Sequence, residues 1–186
     1  MIREAGIAPH IIPTAHAGNI DALGEYVALA DSLGATMNFS LLSASVENDD
    51  LAAVLPDDAA LERLAQATLA LSVSTRLTTT CGCGAGCTMV SVSADGEVFP
   101  CHMMHDEAFS LGSLLEDSGC LAARHAPAPR VAELAACADC DIRYLCGGGC
   151  RARAYFATGD VEARDPYCSL MRTFYRLLFE AMLGRN

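Results

Sequence analysis

The sequence predicts an α/β chain in two parts: two β/α units that cannot close a sheet alone, then a small cysteine-rich module with a β-hairpin and a C-terminal helix. Three observations carry this. Strand-like and helix-like runs alternate over residues 1–72. All ten cysteines stand at or after Cys81. An Asp95-Gly96 pair separates two runs with strand alternation, which is a tight-turn hairpin signal.

In chain order, residues 9–13 (Pro-His-Ile-Ile-Pro) read as a short buried strand. Asn19 or Asp21 can cap the helix that follows. Ile20, Leu23, Val27 and Ala30 or Leu33 recur on it at helical spacing, and Gly34 ends it. Residues 36–42 form a second strand, mostly apolar as buried parallel strands are. A polar loop over residues 43–56 leads to a helix started by Asp57 and Asp58, with Leu61, Leu64, Ala65, Thr68 and Leu69 on one face. Two such units leave a sheet edge and face uncovered, so this half is expected to end a larger barrel or sheet.

Residues 72–80 read as a linker. The hairpin delivers Cys101 to the end of its return strand. Residues 109–114 are expected to form a turn and a helix start, residues 118–130 an irregular stretch, and residues 131–136 a short helix leading to Cys137. Residues 151–157 give a short helix with a turn at Gly159-Asp160. Pro166 opens a final helix with Cys168 in its first turn. Leu170, Phe174, Leu177, Leu178 and Met182 form its apolar face, and its N-terminal dipole favours a thiolate or an anionic cluster at Cys168.

Apolar residues make up 52% of the 186, enough for a packed core. The formal net charge of −11 argues against nucleic acid and anionic membrane surfaces, which both need clustered cations. No export signal and no membrane-length apolar run is present, so a cytoplasmic protein is expected. Cysteines stay reduced in that compartment and read as metal ligands. An even cysteine count would suit a disulfide scaffold in a secreted chain, but no signal supports secretion.

The last five ligand candidates, Cys137, Cys140, Cys146, Cys150 and Cys168, are spaced C-x2-C-x5-C-x3-C-x17-C. Gly147, Gly148 and Gly149 let the backbone fold back between two of them. An earlier group holds Cys81, Cys83 and Cys87. Soft sulfur ligands select zinc, copper(I) or iron–sulfur clusters. A zinc-binding interaction module is the alternative reading, since zinc sites use C-x2-C pairs; the five-cysteine tail departs from paired knuckles. His102 and His105 follow Cys101 and could touch a cluster or substrate, with a loop role as the plainer reading. His10, His16 and His125 have no partner that sequence names. Arg143 and Tyr144 could meet cluster sulfurs or simply pack. Asn38 and Ser40 could face a barrel lumen.

These motifs carry a resemblance. Cys83-Gly-Ala-Gly, then Val92-Ser-Ala-Asp-Gly-Glu-Val-Phe-Pro-Cys101-His, Phe109-Ser-Leu-Gly and the C-x2-C-x5-C-Gly-Gly-Gly-C run with Cys168 closely resemble the SPASM domain. This is the C-terminal auxiliary-cluster module of radical SAM enzymes that modify peptides and proteins. The match covers roughly residues 81–170, and residues 9–71 look like the last β/α units of the partial TIM barrel that precedes the module. The implied domains are residues 1–72 and residues 73–186. The resemblance implies two auxiliary 4Fe–4S clusters. Cys137, Cys140, Cys146 and Cys168 would hold one. Cys101, Cys150 and one or two of Cys81, Cys83 and Cys87 would hold the other. Two fully ligated cubanes take eight thiolates, so one cysteine of the first group is surplus. Cys83 matches the family's Cys-x-Ala-Gly segment, whereas Cys81 and Cys87 match a ligand spacing of some members. Cys120 lies outside every motif.

The resemblance also implies a ribosomal peptide or protein substrate, cross-linked or oxidised by the complete enzyme. The family's C-x3-C-x2-C, which binds the cluster that reduces S-adenosylmethionine, is missing. Val90 stands where a third cysteine would follow Cys83 and Cys87, and Arg153 where one would follow Cys146 and Cys150. The expectation is therefore a fragment, a truncated product or one half of a split enzyme. It would use S-adenosylmethionine only with a separate chain supplying the barrel half, and would not cleave it alone.

Overall fold

The computed structural model describes residues 5–43, 49–71, 82–115 and 128–184, with side chains omitted at 49 and 50. The linker at residues 72–80, Cys81, Cys120 and His125 lie outside the described residues. The chain divides into two compact units, Met1–Thr78 with Pro166–Asn186, and Thr79–Asp165.

In the first unit, strands β1 (His10–Ile11) and β2 (Thr14–Ala15) pair in parallel with β3 (Thr36–Met37) and β4 (Ser40–Leu41). Each expected strand is thus split in two. Pro13 is the reason, because it has no N–H to donate across the pair. Acceptance is uninterrupted: the carbonyls of Pro9, Ile11, Pro13 and Ala15 take the amides of Thr36, Asn38, Ser40 and Leu42 at 2.9–3.2 Å. Alternation then sorts the side chains. Ala15, Met37, Phe39 and Leu41 join the core. On the other face His10 bonds Thr36 Oγ1 at 2.6 Å and Asn38 Oδ1 at 3.1 Å, and Thr14 bonds Ser40 at 3.2 Å. Among the described residues these strands form no closed barrel.

Helix α1 (Leu23–Leu33) ends at Gly34, whose φ of 57° suits only a residue without Cβ strain. Asn19 precedes the short 3-10 turn Ile20–Ala22 but does not cap it. Its amide side chain instead accepts from His16 N–H and donates to Thr14 O, fastening β2 to the turn. A short helix α2 (Asp49–Ala52) lies within the stretch expected to be loop. Helix α3 (Asp58–Ala70) starts at Asp57, whose carboxylate accepts from Ala60 N–H at 2.7 Å. Leu61, Leu64 and Ala65 of α3 form the core with Leu170 of helix α6 (Cys168–Met182) and with Tyr167, whose hydroxyl donates to Leu42 O. The C-terminal helix, grouped by sequence with the cysteine-rich segment, therefore packs in the first unit. Thr173 and Tyr175 are buried on it, while Met182 is exposed.

In the second unit, β5 (Ser91–Val92), β6 (Glu97–Phe99) and β7 (Gly112–Ser113) form an antiparallel sheet in that order. Gly96 turns the hairpin at φ 87°, and Ser93 donates its hydroxyl to Asp95. In the stretch 109–114 the expected helix start is instead the two-residue strand β7. Leu111 N–H reaches Val98 O at 2.8 Å and Leu114 N–H reaches Gly96 O at 2.9 Å. Gly112, at φ 112°, makes this strand possible where another residue would be strained. A 3-10 turn Glu107–Phe109 precedes it. The helix expected over 131–136 is only a turn followed by the 3-10 segment Ala135–Cys137. Helix α4 (Arg143–Cys146) fills the loop between Cys140 and Cys146, and α5 (Arg151–Thr158) follows Cys150 and ends at Gly159.

Substitutions in α3 test this core. Asp57→Ala is expected to cost about 1 kcal/mol through the lost cap. Leu64→Ala is expected to cost about 3 kcal/mol through the cavity it leaves. Urea denaturation of the full chain measures both; equal losses would contradict the burial order.

Candidate functional site

Two sets of thiols gather in the second unit. The first holds Cys83, Cys101 and Cys150, packed around a buried cluster of Ala85, Cys101, Met104 and Ala152. Strand β6 runs into Pro100 and so places Cys101 at the sheet's end. Gly86 N–H donates to Pro100 O at 2.9 Å, which ties the loop carrying Cys83 to the residue before Cys101. Burial pushes the Cys101 thiol above its ordinary 9.0, and the Cys83 and Cys150 thiols push the same way. The backbone N–H groups of Met103 and Met104 oppose this by donating to the thiolate. The Met103 thioether sulfur lies 4.0 Å from Cys150 Sγ. Cys87 is exposed and stands outside this cluster.

The second set holds Cys137, Cys140 and Cys146. Cys137 is buried against Val131 and Leu134. Cys140 N–H donates to Cys137 O at 3.1 Å, so both cysteines share one turn. Burial raises the Cys146 thiol too, with contributions from Asp165 and Cys137, while the N–H groups of Gly148 and Gly149 favour its thiolate. Cys168 is the first residue of α6 in the other unit.

Gly147, Gly148 and Gly149 connect the two sets, at φ 71°, 90° and 75°. Gly147 N–H donates to Arg143 O at 2.7 Å, while the N–H groups of Gly148 and Gly149 face the Cys146 sulfur. The turn is also confined. A Cβ at Gly148 would meet Leu134 Cδ1 at 2.6 Å, and one at Gly149 would meet Asp165 Oδ2 at 2.4 Å. Asp165, 3% exposed, accepts from Cys150 N–H at 2.6 Å and grips Arg153 at 2.7 and 3.0 Å. Asp165, Arg153 and Arg151 escape a sequence reading, because charged residues in a loop or on a short helix read as solvated. The only hint is that two of the chain's twelve cations stand within three residues of Cys150.

Most of the remaining candidates have local partners. His105 bonds Ser91 Oγ at 2.7 Å and stacks on Phe99 at 4.4 Å. His102 is exposed. His16 Nδ1 accepts from Gly18 N–H. Arg143 donates to Ala138 O and lies over the Tyr144 ring at 4.7 Å. Asn38 and Ser40 sit on the exposed polar strand face, bonded to His10 and Thr14.

Among the described residues no three His, Cys, Asp or Glu side chains converge on a single-ion site. A cubane is wider than an ion, and its thiolates stand farther apart than ligands of one metal. The donors suit such a group. Buried thiols resist ionisation until a cationic centre meets them, and N–H groups of Met103, Met104, Gly148 and Gly149 face the resulting sulfur charge.

No protein-family model and no curated protein matches this chain. Solved structures do. Native anSMEcpe with bound AdoMet matches with a TM-score of 0.66 at 13% identity, covering 98% of this chain and 58% of that one. The same protein with AdoMet and the Cp18Cys peptide matches at 0.71 and 13%, covering 98% and 59%. With AdoMet and the Kp18Cys peptide the values are 0.68 and 12%, covering 98% and 59%. This chain thus shares its fold with those anSMEcpe chains and spans somewhat more than half their length.

Two outcomes follow from the glycine turn and the buried thiols. Gly159→Ala, with nothing within 4 Å of the added Cβ, should cost about 1 kcal/mol for its φ alone. Gly149→Ala should cost about 3 kcal/mol or more, because the Asp165 clash adds to the same φ penalty. Because folding raises the Cys101 and Cys146 thiols above 9.0, the metal-free fold is stabilised below that pH and loses this stability as pH climbs through the raised values. Denaturation midpoints of metal-free chain, taken from neutral to alkaline pH, check the sign; a flat profile would contradict it.

Proposed function

We propose that this chain is the auxiliary iron–sulfur part of a radical SAM enzyme that modifies a ribosomal peptide or protein. The observation that carries the reading is the Gly147–Gly149 turn, which connects two sets of buried and half-buried thiols and turns the N–H groups of Gly148 and Gly149 to the Cys146 sulfur. The structural neighbours add support: they are an anaerobic sulfatase-maturating radical SAM enzyme with AdoMet and peptide bound.

In this reading Cys137, Cys140, Cys146 and Cys168 hold one 4Fe–4S cluster. Cys101 and Cys150 hold the other with ligands from the first cysteine group. The clustering of Cys83 with Cys101 and Cys150 favours Cys83 among them, and the exposure of Cys87 disfavours that residue. The clusters, when bound, supply one-electron transfer and a surface on which a peptide can be held. The chain's own contribution is positional. Met103, Met104, Gly148 and Gly149 turn N–H groups to the sulfurs, the hairpin seals Cys101 from water, and Asp165 fixes the backbone of Cys150. AdoMet cleavage belongs to a C-x3-C-x2-C site that these residues do not contain. A separate chain could supply it.

Anaerobic reconstitution of the full chain with iron and sulfide tests this. The expected product is brown, with iron and sulfide matching two 4Fe–4S clusters, no zinc, and no 5′-deoxyadenosine formed from AdoMet. Cys101→Ala and Cys137→Ala should each remove about half the iron. A colourless protein with stoichiometric zinc would establish the zinc module instead.

A further inference from the structure

Arg151 has the largest of the fully buried side chains, 1% exposed. Its Nη1 donates to Val161 O at 2.9 Å and Ala163 O at 2.8 Å, and its Nη2 donates to Gly148 O. Its Nε has no acceptor among the described residues. Carbonyl oxygens satisfy N–H groups but do not cancel a full charge, and a lone buried ion is strongly unfavourable. Carboxylates are not scarce, with 23 acids against twelve cations, all of them arginine. Yet Arg151 forms no ion pair with any described residue, and Asp165, the acid that reaches Cys150, grips Arg153 instead. Arg153 is therefore neutralised, and Arg164 is exposed and donates to Ala136 O.

The uncompensated charge directly follows Cys150 in the chain and is bonded to the glycine turn between the thiol sets. What that place lacks is a buried anion rich in hydrogen-bond acceptors. We propose that Arg151 is a positioning and redox-tuning residue: its guanidinium is the buried countercharge of the cluster held through Cys150, and its free Nε–H is donated to a sulfur of that cluster. This rests on the iron–sulfur reading above. A buried cation and a donated hydrogen bond both favour the more negative, reduced cluster and so raise its potential.

Reconstituted full-length wild type, Arg151→Lys and Arg151→Gln chains test it by iron content and by redox titration followed by electron paramagnetic resonance. The expected result is that Arg151→Gln lowers the reduction equilibrium constant of one cluster at least tenfold, about 59 mV for one electron. The other cluster should not move, and Arg151→Lys should be shifted less. If Arg151→Gln loses one cluster outright while Arg151→Lys keeps both, the charge is again the requirement. Unchanged potentials in Arg151→Gln would overturn the proposal, as would equal loss of iron from both variants, which marks a plain structural brace. A wild type that takes up no iron would instead overturn the iron–sulfur reading itself.

Discussion

Three adjacent glycines bear a tight constraint in the second unit. Gly147, Gly148 and Gly149 all take positive φ, and the last two are wedged against Leu134 and Asp165 with no room for a Cβ. Such a run is costly in conformational entropy and has little value as mere connection. Its effect is to turn the N–H groups of Gly148 and Gly149 to the Cys146 sulfur. The hairpin, the Cys83 loop and the Asp165–Arg153 pair all act on this turn or on the cysteines beside it.

The electrostatics point the same way. A chain with a net charge of −11 buries thiols whose ionisation burial opposes, and buries near them an arginine with no ion-pair partner among the described residues. Each feature alone is unfavourable. Together they suit the anionic, sulfur-rich group proposed above: thiols to hold it, amides to face it and a cation to offset it. The first unit has a different character. Its parallel strands bury one face under α3 and leave the other lined with His10, Thr14, Thr36, Asn38 and Ser40. Parallel sheets normally cover both faces, whereas among the described residues this polar face is exposed.

Features fixed by local chemistry were legible in the sequence. Gly34 ends α1, Asp57 caps α3 and Asp95-Gly96 turns the hairpin, each because a neighbouring backbone group needs that residue type. Features fixed by distant pairing were not. Strand β7 exists because β6 lies beside it, and nothing in Gly112-Ser113 announces a strand. Asn19 has a capping side chain but spends it on His16 and Thr14. Only part of the buried face of α6 was readable: Leu170 is buried, but Met182 is exposed and Thr173 and Tyr175 are buried instead, and its partner α3 was not legible. At the site, cysteine spacing marked the ligand candidates, while Asp165 and Arg151 gain their meaning only from burial.

The claim underlying this account is that the two thiol sets flanking the glycine turn each hold a separate iron–sulfur cluster. Anomalous diffraction at the iron edge, from crystals of the anaerobically reconstituted full chain, tests it most directly. The account predicts two compact iron peaks, one against Cys101 and Cys150 and one against Cys137 and Cys146. A single peak shared by both sets, or peaks present only at the zinc edge, would contradict it.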